Sequence, residues 1–451
     1  MSKINVNTVD TQCGSTLTLG SSGKTVTLAS GASQSGFGRT GTVDWCTTAK
    51  TSPFTAVSGD GFFVNTTSGA ITVTLPASPS AGDIVALKDY GGTWQTNNVT
   101  LARNGSKING QCACGTLNTE AQSVTLIYVD GTKGWQDIHD STADVTGQAF
   151  VAATGGTETT SGDYKIHTFT ADGCFQVTNA GNSAGSNKIS YLVVAGGGGG
   201  AGNVGNYDGS AGAGAGGYRE GKCSSDPYTA SPLDAGDGLT ASVATFPITV
   251  GGGGSGGPAT GAGSNGSNSV FSTITSTGGG GGNFPTGTTP TCGAGGSGSG
   301  AAATSNQPQG TAGAGNTPPV SPPQGNPGGN FQSSGASAAG GGGGAGAVGG
   351  NAPSNTVAGD GGAGATSSIN GSPVQRAGGG GGSAYPANTG GSGGAGGGGD
   401  GGRAPGTPGP AGQAGTANTG GGGGGSNANP GNPSTGGAGG SGIVILRYKF
   451  Q

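Results

Sequence analysis

The sequence predicts an all-β protein: an N-terminal trimeric β stalk, a small β-sandwich domain, and a second β module interrupted by a large inserted bundle of polyglycine-II helices. Three observations carry this. Short runs of alternating apolar and polar residues, punctuated by Asn-Gly and Asp-Gly turns, fill the first 195 residues. Glycine supplies 111 of the 451 residues, and 86 of those fall after residue 190. A strand-like run, Ile443-Val444-Ile445-Leu446-Arg447-Tyr448-Lys449-Phe450, closes the chain.

In residues 1–42, Thr16-Leu17-Thr18-Leu19-Gly20 recurs as Thr25-Val26-Thr27-Leu28-Ala29 with Gly23 between them. One copy cannot bury the face formed by Leu17, Leu19, Val26 and Leu28, whereas three copies wound about an axis can, which predicts a homotrimeric stalk. Residues 43–145 contain six candidate strands, 61–64, 70–75, 83–88, 98–103, 123–129 and 134–138, which suggest a sandwich or a strongly curved sheet. Trp45, Trp94 and Trp135 read as core or rim anchors of that domain in preference to ligand platforms. Residues 146–195 begin a second module, strongest at 188–195, where Ile189, Tyr191 and Val193 share one side. The terminal strand 442–451 is expected to return to that sheet, making 196–441 an insertion tied at both ends.

Within the insertion, residues 251–440 carry only Asp360, Arg376, Asp400 and Arg403 as charged side chains, and too few large apolar residues for an ordinary core. Ordering each residue costs ~1–2 kcal/mol of backbone entropy, most of all for glycine, which favours disorder. Order is favoured by strand-like segments that run directly into glycine at 196, 251 and 278, by similar glycine runs separated by Asn, Pro, Ser and Thr, and by the near absence of solubilising charge. Polyglycine-II rods reconcile these features: three residues per turn, ~3.1 Å rise and no internal hydrogen bonds leave every peptide group free to bond sideways. The spans 340–350 and 390–402 suit rods of ~30 Å. Residues 406–415, with a Gly-X-Y period, suit an outer rod.

Net charge is −4 and no basic cluster occurs, which argues against nucleic-acid partners. The first residues lack an apolar signal and the longest aliphatic run, 443–446, is too short to insert into a membrane. The seven cysteines lack the CxxC pairs of a zinc site. The two histidines, His139 and His167, have no metal-ligand spacing, and Glu120, Glu158 and Glu220 lie far apart. Matches to GxGxxG follow from composition and lack an acidic partner in a βαβ setting. The expectation is a non-enzymatic protein without metal or cofactor.

The segments "GDGFFVNTTSGAITVTLPASPSAGDIVALKDY" and "SVTLIYVDGTKGW" resemble modules of fibre-like proteins of marine phages, including those of cyanobacteria. "YLVVAGGGGG" through "GGSGIVILRY" resembles the glycine-rich domain of phage structural proteins, and the long insertion is similar to the polyglycine-II tip of T-even-like phage adhesins. The resemblance implies a virion fibre or adhesin. Its N-terminus would meet other virion proteins and its distal loops a host surface glycan or outer-membrane protein. The aromatics Tyr207, Tyr218, Tyr228, Phe284, Phe331 and Tyr385 are the receptor-binding candidates on those loops. A capsid or tail decoration protein is the alternative, and an ice-binding or cell-wall glycine-rich protein the third reading.

Overall fold

The computed structural model describes residues 43–141, 148–203, 209–284, 292–302, 311–333, 337–385, 389–403, 410–428 and 432–451. The predicted stalk (1–42), Tyr207 and residues 406–409 of the Gly-X-Y stretch lie outside the described residues. The chain is all-β and divides into two compact units, 1–145 and 146–451.

In the first unit, one sheet runs in the order β1 (Asp44–Lys50), β3 (Asp60–Val64), β5 (Ile84–Asp89), β8 (Ser123–Asp130), β9 (Gly134–Ser141). The other runs β2 (Phe54–Thr55), β4 (Ile71–Thr74), β6 (Val99–Ala102), β7 (Gly115–Leu117). Alternating residues of both sheets meet in one core: Phe62, Val64, Val85, Leu87, Val124 and Leu126 from the first face Ile71, Val73, Val99 and Leu101 from the second, with Trp94 and Trp135 fully enclosed. The two layers agree with a sandwich, and up to β6 consecutive strands are not paired as hairpins. β1, β3 and β5 pair parallel in one sheet while β2, β4 and β6 pair parallel in the other, so the chain coils, laying one strand in each sheet per pass. Before β6 the turns at Gly59, Gly69 and Gly82 each carry the chain from one sheet to the other. Asn104 and Asn109, both at positive φ, and the Asp130 carboxylate, which accepts the Thr132 and Lys133 N–H groups, come after β6, where pairing turns antiparallel. Trp45 is also not a core anchor: it is 44% exposed.

In the second unit, an antiparallel sheet has the order β10 (Val151–Thr154), β13 (Gly173–Ala180), β17 (Ala244–Thr249), β18 (Ser269–Phe271), β19 (Ile274–Ser276). A second has the order β11 (Thr157–Ser161), β12 (Tyr164–Phe169), β25 (Ile443–Lys449), β14 (Lys188–Val194), β15 (Tyr218–Gly221), with β16 (Leu239–Thr240) also on β14. The C-terminal strand does return: Tyr191 pairs with Leu446 and Val194 with Ile443. Tyr191, Val193, Val444, Leu446 and Tyr448 face the first sheet, across which Phe175, Ile248 and Phe271 pack. Leu192, Val194, Ile443 and Ile445 face the other way, into a second apolar layer. Burial on both faces explains why β14 and β25 read as continuous apolar runs.

Between the two sheets His167 is completely buried. Its Nδ1 bonds the Gly155 carbonyl (2.7 Å), its Nε2 bonds the Tyr448 hydroxyl (3.1 Å), and its ring stacks on Tyr448. Burial holds the imidazole below its ordinary 6.5, against the opposing pulls of the Gly155 carbonyl and Glu158. Burial also pushes the Tyr448 phenol up to about 12. Below 6.5 the unfolded chain binds a proton that the folded chain refuses, so stability rises with pH through that window and is lost as pH falls below it. The melting temperature of the second unit should therefore drop between pH 7 and pH 5. A His167→Gln variant should show a flatter profile over the same range, and an equally steep one would remove His167 as the cause.

Two short hairpins complete the described part of the unit, β20 (Gln332–Ser333) with β21 (Ser337–Ala338) and β22 (Ala365–Ser367) with β23 (Val374–Arg376), and a distant strand, β24 (Ala384–Tyr385), adds to β21. Among the described residues no helix is long and apolar enough to cross a membrane.

Candidate functional site

β14 runs straight into the first glycine rod, 196–203. Its N–H groups leave in three directions with a period of three. Gly196, Gly199 and Gly202 donate to Ser267, Ser264 and Gly261; Gly197, Gly200 and Asn203 donate to Gly440, Gly437 and Ser434; Gly198 and Ala201 donate to Gly214 and Ala211. Its carbonyls accept from three further rods with the same period: Gly254 and Gly257, Gly279 and Gly282, Gly423 and Ser426. Three neighbours receiving and three giving make six, the lateral pattern of a threefold extended helix. The rods 211–217, 340–345, 378–383 and 420–426 are bonded in the same way.

Many positions at such spacing admit nothing larger than glycine, although alanines such as Ala211, Ala213 and Ala215 are held fully buried in the rod 211–217. A methyl at Gly342 would overlap the Ala213 carbonyl oxygen and one at Gly202 the Pro258 carbonyl oxygen. Where a neighbouring rod is missing, side chains take its place. Asn265 and Asn268, three apart, accept the N–H groups of Gly281 and Gly278, and Asp360 and Asp400 accept those of Ser392 and Gly393. In the described part of the Gly-X-Y stretch, Gly412 and Gly415 donate inward to Thr435 and Ala438, while Ala411, Gln413 and Ala414 are exposed, as an outer rod requires.

The rods are shorter than the sequence suggests. Residues 340–350 double back, with Gly344 bonding Ala347 and Gly341 bonding Gly350. Residues 390–402 do the same, turning at Gly396 and Gly397, whose φ values of 101° and 102° only glycine readily adopts. The eight-residue rod 196–203 is thus about 25 Å long at ~3.1 Å per residue.

One end of the bundle is joined to the sheet. Ala215, Ala345 and Ala377 pack with Leu192, Val194, Ile443 and Ile445, together with Tyr218, Tyr228 and Ile369. Beneath them Arg447 pairs with Asp226 at 2.8 Å, both almost wholly buried, and its guanidinium lies 4.6 Å from the Tyr164 ring centre and 5.5 Å from that of Tyr228. Asp226 also accepts the Ser190 hydroxyl (3.0 Å), and Arg447 donates to the Ile369 carbonyl. Glu220, also buried, accepts from the Tyr218 and Ser367 hydroxyls and the Ser231 N–H. Burial, reinforced by the Glu220 charge, pushes both Tyr218 and Tyr228 phenols far upward.

The opposite end of the bundle lies at Ser210, Ser383 and Ser426. Ser383 accepts from the Ser210 N–H and donates to the Ser426 carbonyl, and Asn427 donates to the Ala384 carbonyl, so hydroxyls and amides close the bundle there. The small sheet β20–β21–β24 sits at this end, and beside it lies a cleft of about 330 Å³ lined by Asn351, Pro353, Val357, Asp360, Thr389 and Arg403. Arg403 donates to the Ser392 hydroxyl, whose own N–H goes to Asp360.

The six sequence candidates separate accordingly. Tyr218 and Tyr228 are withdrawn as surface loop residues: they are buried at the sheet-joined end, where the apolar second face of β14 and β25 needs cover. Phe284 is at the far end but also buried. Phe331 and Tyr385 are half-buried, immediately before β20 and at the end of β24 respectively, and so remain at the far end with partly accessible rings. Sequence reasoning missed the cleft. Its signal was rarity, since Asp360, Asp400 and Arg403 are three of only four charges in 190 residues and all three bond Ser392 or Gly393.

Among the described residues no group of three or more His, Cys, Asp or Glu side chains is placed to hold a metal ion. No curated protein matches the chain. Residues 170–449, from the strands that frame the bundle through the rods to the terminal strand, match the family model described as a glycine-rich domain, and the chain belongs to that family.

Proposed function

We propose that the chain is a phage virion fibre or adhesin that recognises a host cell surface, without catalysis, through the loops at the free end of its polyglycine-II bundle. The observation that carries this reading is the polarity of the bundle. One end is joined to a sheet by an apolar layer and a buried ion pair, and the other presents Phe331, Tyr385 and the cleft around Val357, Asp360 and Arg403. Rods bonded to six neighbours form a rigid base, and rigid bases bearing variable loops are how binding surfaces are commonly built.

Purified full-length chain should bind the surface of susceptible bacterial cells. Tyr385→Ala and Arg403→Ala should each weaken that binding at least tenfold while leaving the melting temperature of the second unit unchanged. Undiminished binding by both variants would refute recognition through this end. Normal adsorption of virions lacking the chain would instead support a decoration role.

A further inference from the structure

The first unit carries a feature that no hydrophobic core explains. Trp45 on β1, Phe63 on β3 and Tyr90 immediately after β5 stand across three adjacent parallel strands. Phe63 alternates with the inward residues Phe62 and Val64, and so belongs to the face turned away from the core. The Trp45 and Phe63 ring centres are 5.0 Å apart with planes 38° from parallel, and those of Phe63 and Tyr90 are 6.4 Å apart and edge-on at 75°. Trp45 is 44% and Tyr90 59% exposed, whereas the other two tryptophans, Trp94 and Trp135, are completely buried. Gly61 makes the row possible, because a side chain there would overlap the Trp45 ring.

We propose that the Trp45–Phe63–Tyr90 row is a binding site for a neutral saccharide, separate from the free end of the glycine bundle. A sugar ring has an apolar C–H face that stacks on an aromatic ring and an edge of hydroxyls that needs hydrogen-bond partners. Both halves are present. Trp45 and Phe63 form a tilted floor and Tyr90 an upright wall. Next to Tyr90, Gly91 lies against Asn65 Oδ1 and Thr67 Oγ1. Asn65 Oδ1 accepts from the Thr67 N–H (3.1 Å) and hydroxyl (2.6 Å), which orients its amide, and that amide carries two N–H donors of its own. Exposed aromatic rows of this kind mark interaction sites, since each ring gains from leaving water. Charge selects the partner. Residues 43–141 hold five basic and eight acidic side chains, a net of −3, so nucleic-acid bases, which also stack on aromatics, would bring phosphates into a repelling field.

Trp45 is the only exposed tryptophan among the three, so its emission reports on the row directly. Full-length protein is titrated with cellohexaose, maltohexaose and yeast mannan while tryptophan emission and acrylamide quenching are followed, with retention in gels containing each polysaccharide as a second readout. The expected result is a shift in emission and protection from quenching with at least one of these sugars. Tyr90→Ala, at a largely exposed position, should weaken the response at least tenfold, and Tyr385→Ala in the bundle should leave it unchanged. No response and no retention with any of the three would overturn the proposal. So would a blue shift that depends on protein concentration and not on sugar, which would make the row a contact between copies of the chain. Loss of cell binding at the bundle end would not move this readout, so the two functional readings fail separately.

Discussion

Gly342→Ala is expected to destabilise the second unit by about 3 kcal/mol or more, whereas Gly252→Ala should leave it unchanged or stabilise it by a few tenths to ~1 kcal/mol. Both are single methyl additions to glycine-rich rods, and conventional helix or strand propensity does not distinguish them. Position does. The methyl at Gly342 would overlap the Ala213 carbonyl oxygen, in a rod whose N–H and C=O groups reach 298–301, 347–350, 377–380, 212–215, 326–329 and 359–362. The methyl at Gly252 meets no atom within 4 Å, because that residue faces out of an outer rod. Displacing a central rod disturbs hydrogen bonds to every neighbour at once, each contributing ~0.5–1.5 kcal/mol net. Thermal or urea denaturation of the two variants side by side measures the difference. Equal stabilities would mean that the bundle tolerates side chains wherever they fall.

Breaking the Arg447–Asp226 pair should cost as much by a different route. Asp226→Asn leaves the buried guanidinium without its counter-charge, which in comparable sites destabilises by about 3–5 kcal/mol. Replacing both partners, as Asp226→Leu with Arg447→Met, should recover most of that loss, because a well-packed apolar pair of similar volume commonly matches a buried ion pair. The pair ties together β25, β12 through Tyr164, the loop bearing Asp226 and Tyr228, and the Ile369 carbonyl. Its loss should therefore loosen the attachment of the bundle to the sheet before it touches the rods. A single variant losing less than ~1 kcal/mol would show that the apolar layer alone holds this junction.

Much of this architecture was legible because it rests on one-dimensional signals. The aliphatic run ending the chain required a sheet to enter, and the similarly apolar run Tyr191-Leu192-Val193-Val194 supplied it. Glycine runs following strand-like segments announced rods, since residues without Cβ atoms gain nothing from an ordinary core. The rest depended on which distant segments meet. The parallel coil of the first unit pairs β3 with β5 and β4 with β6 across an intervening strand of the other sheet, and no local turn residue specifies that register. Tyr218 and Tyr228 looked like loop aromatics for the same reason. Runs as apolar as those of β14 and β25 imply burial on both faces, so something apolar had to cover the second face, and in a glycine-rich chain these tyrosines and Ile369 were among the few residues able to do it. The aromatic row of the first unit was hidden because Trp45, Phe63 and Tyr90 become neighbours only once β1, β3 and β5 are stacked in parallel.

Amide hydrogen exchange across the second unit probes the rigidity of the bundle most directly. If main-chain bonds between rods hold it, peptides spanning 196–203, 211–217, 340–345, 378–383 and 420–426 should exchange as slowly as those of β14 and β25, and all should open together on heating. Exchange of those glycine segments within seconds, while the strands stay protected, would contradict a rigid bundle and leave the free-end loops without a base.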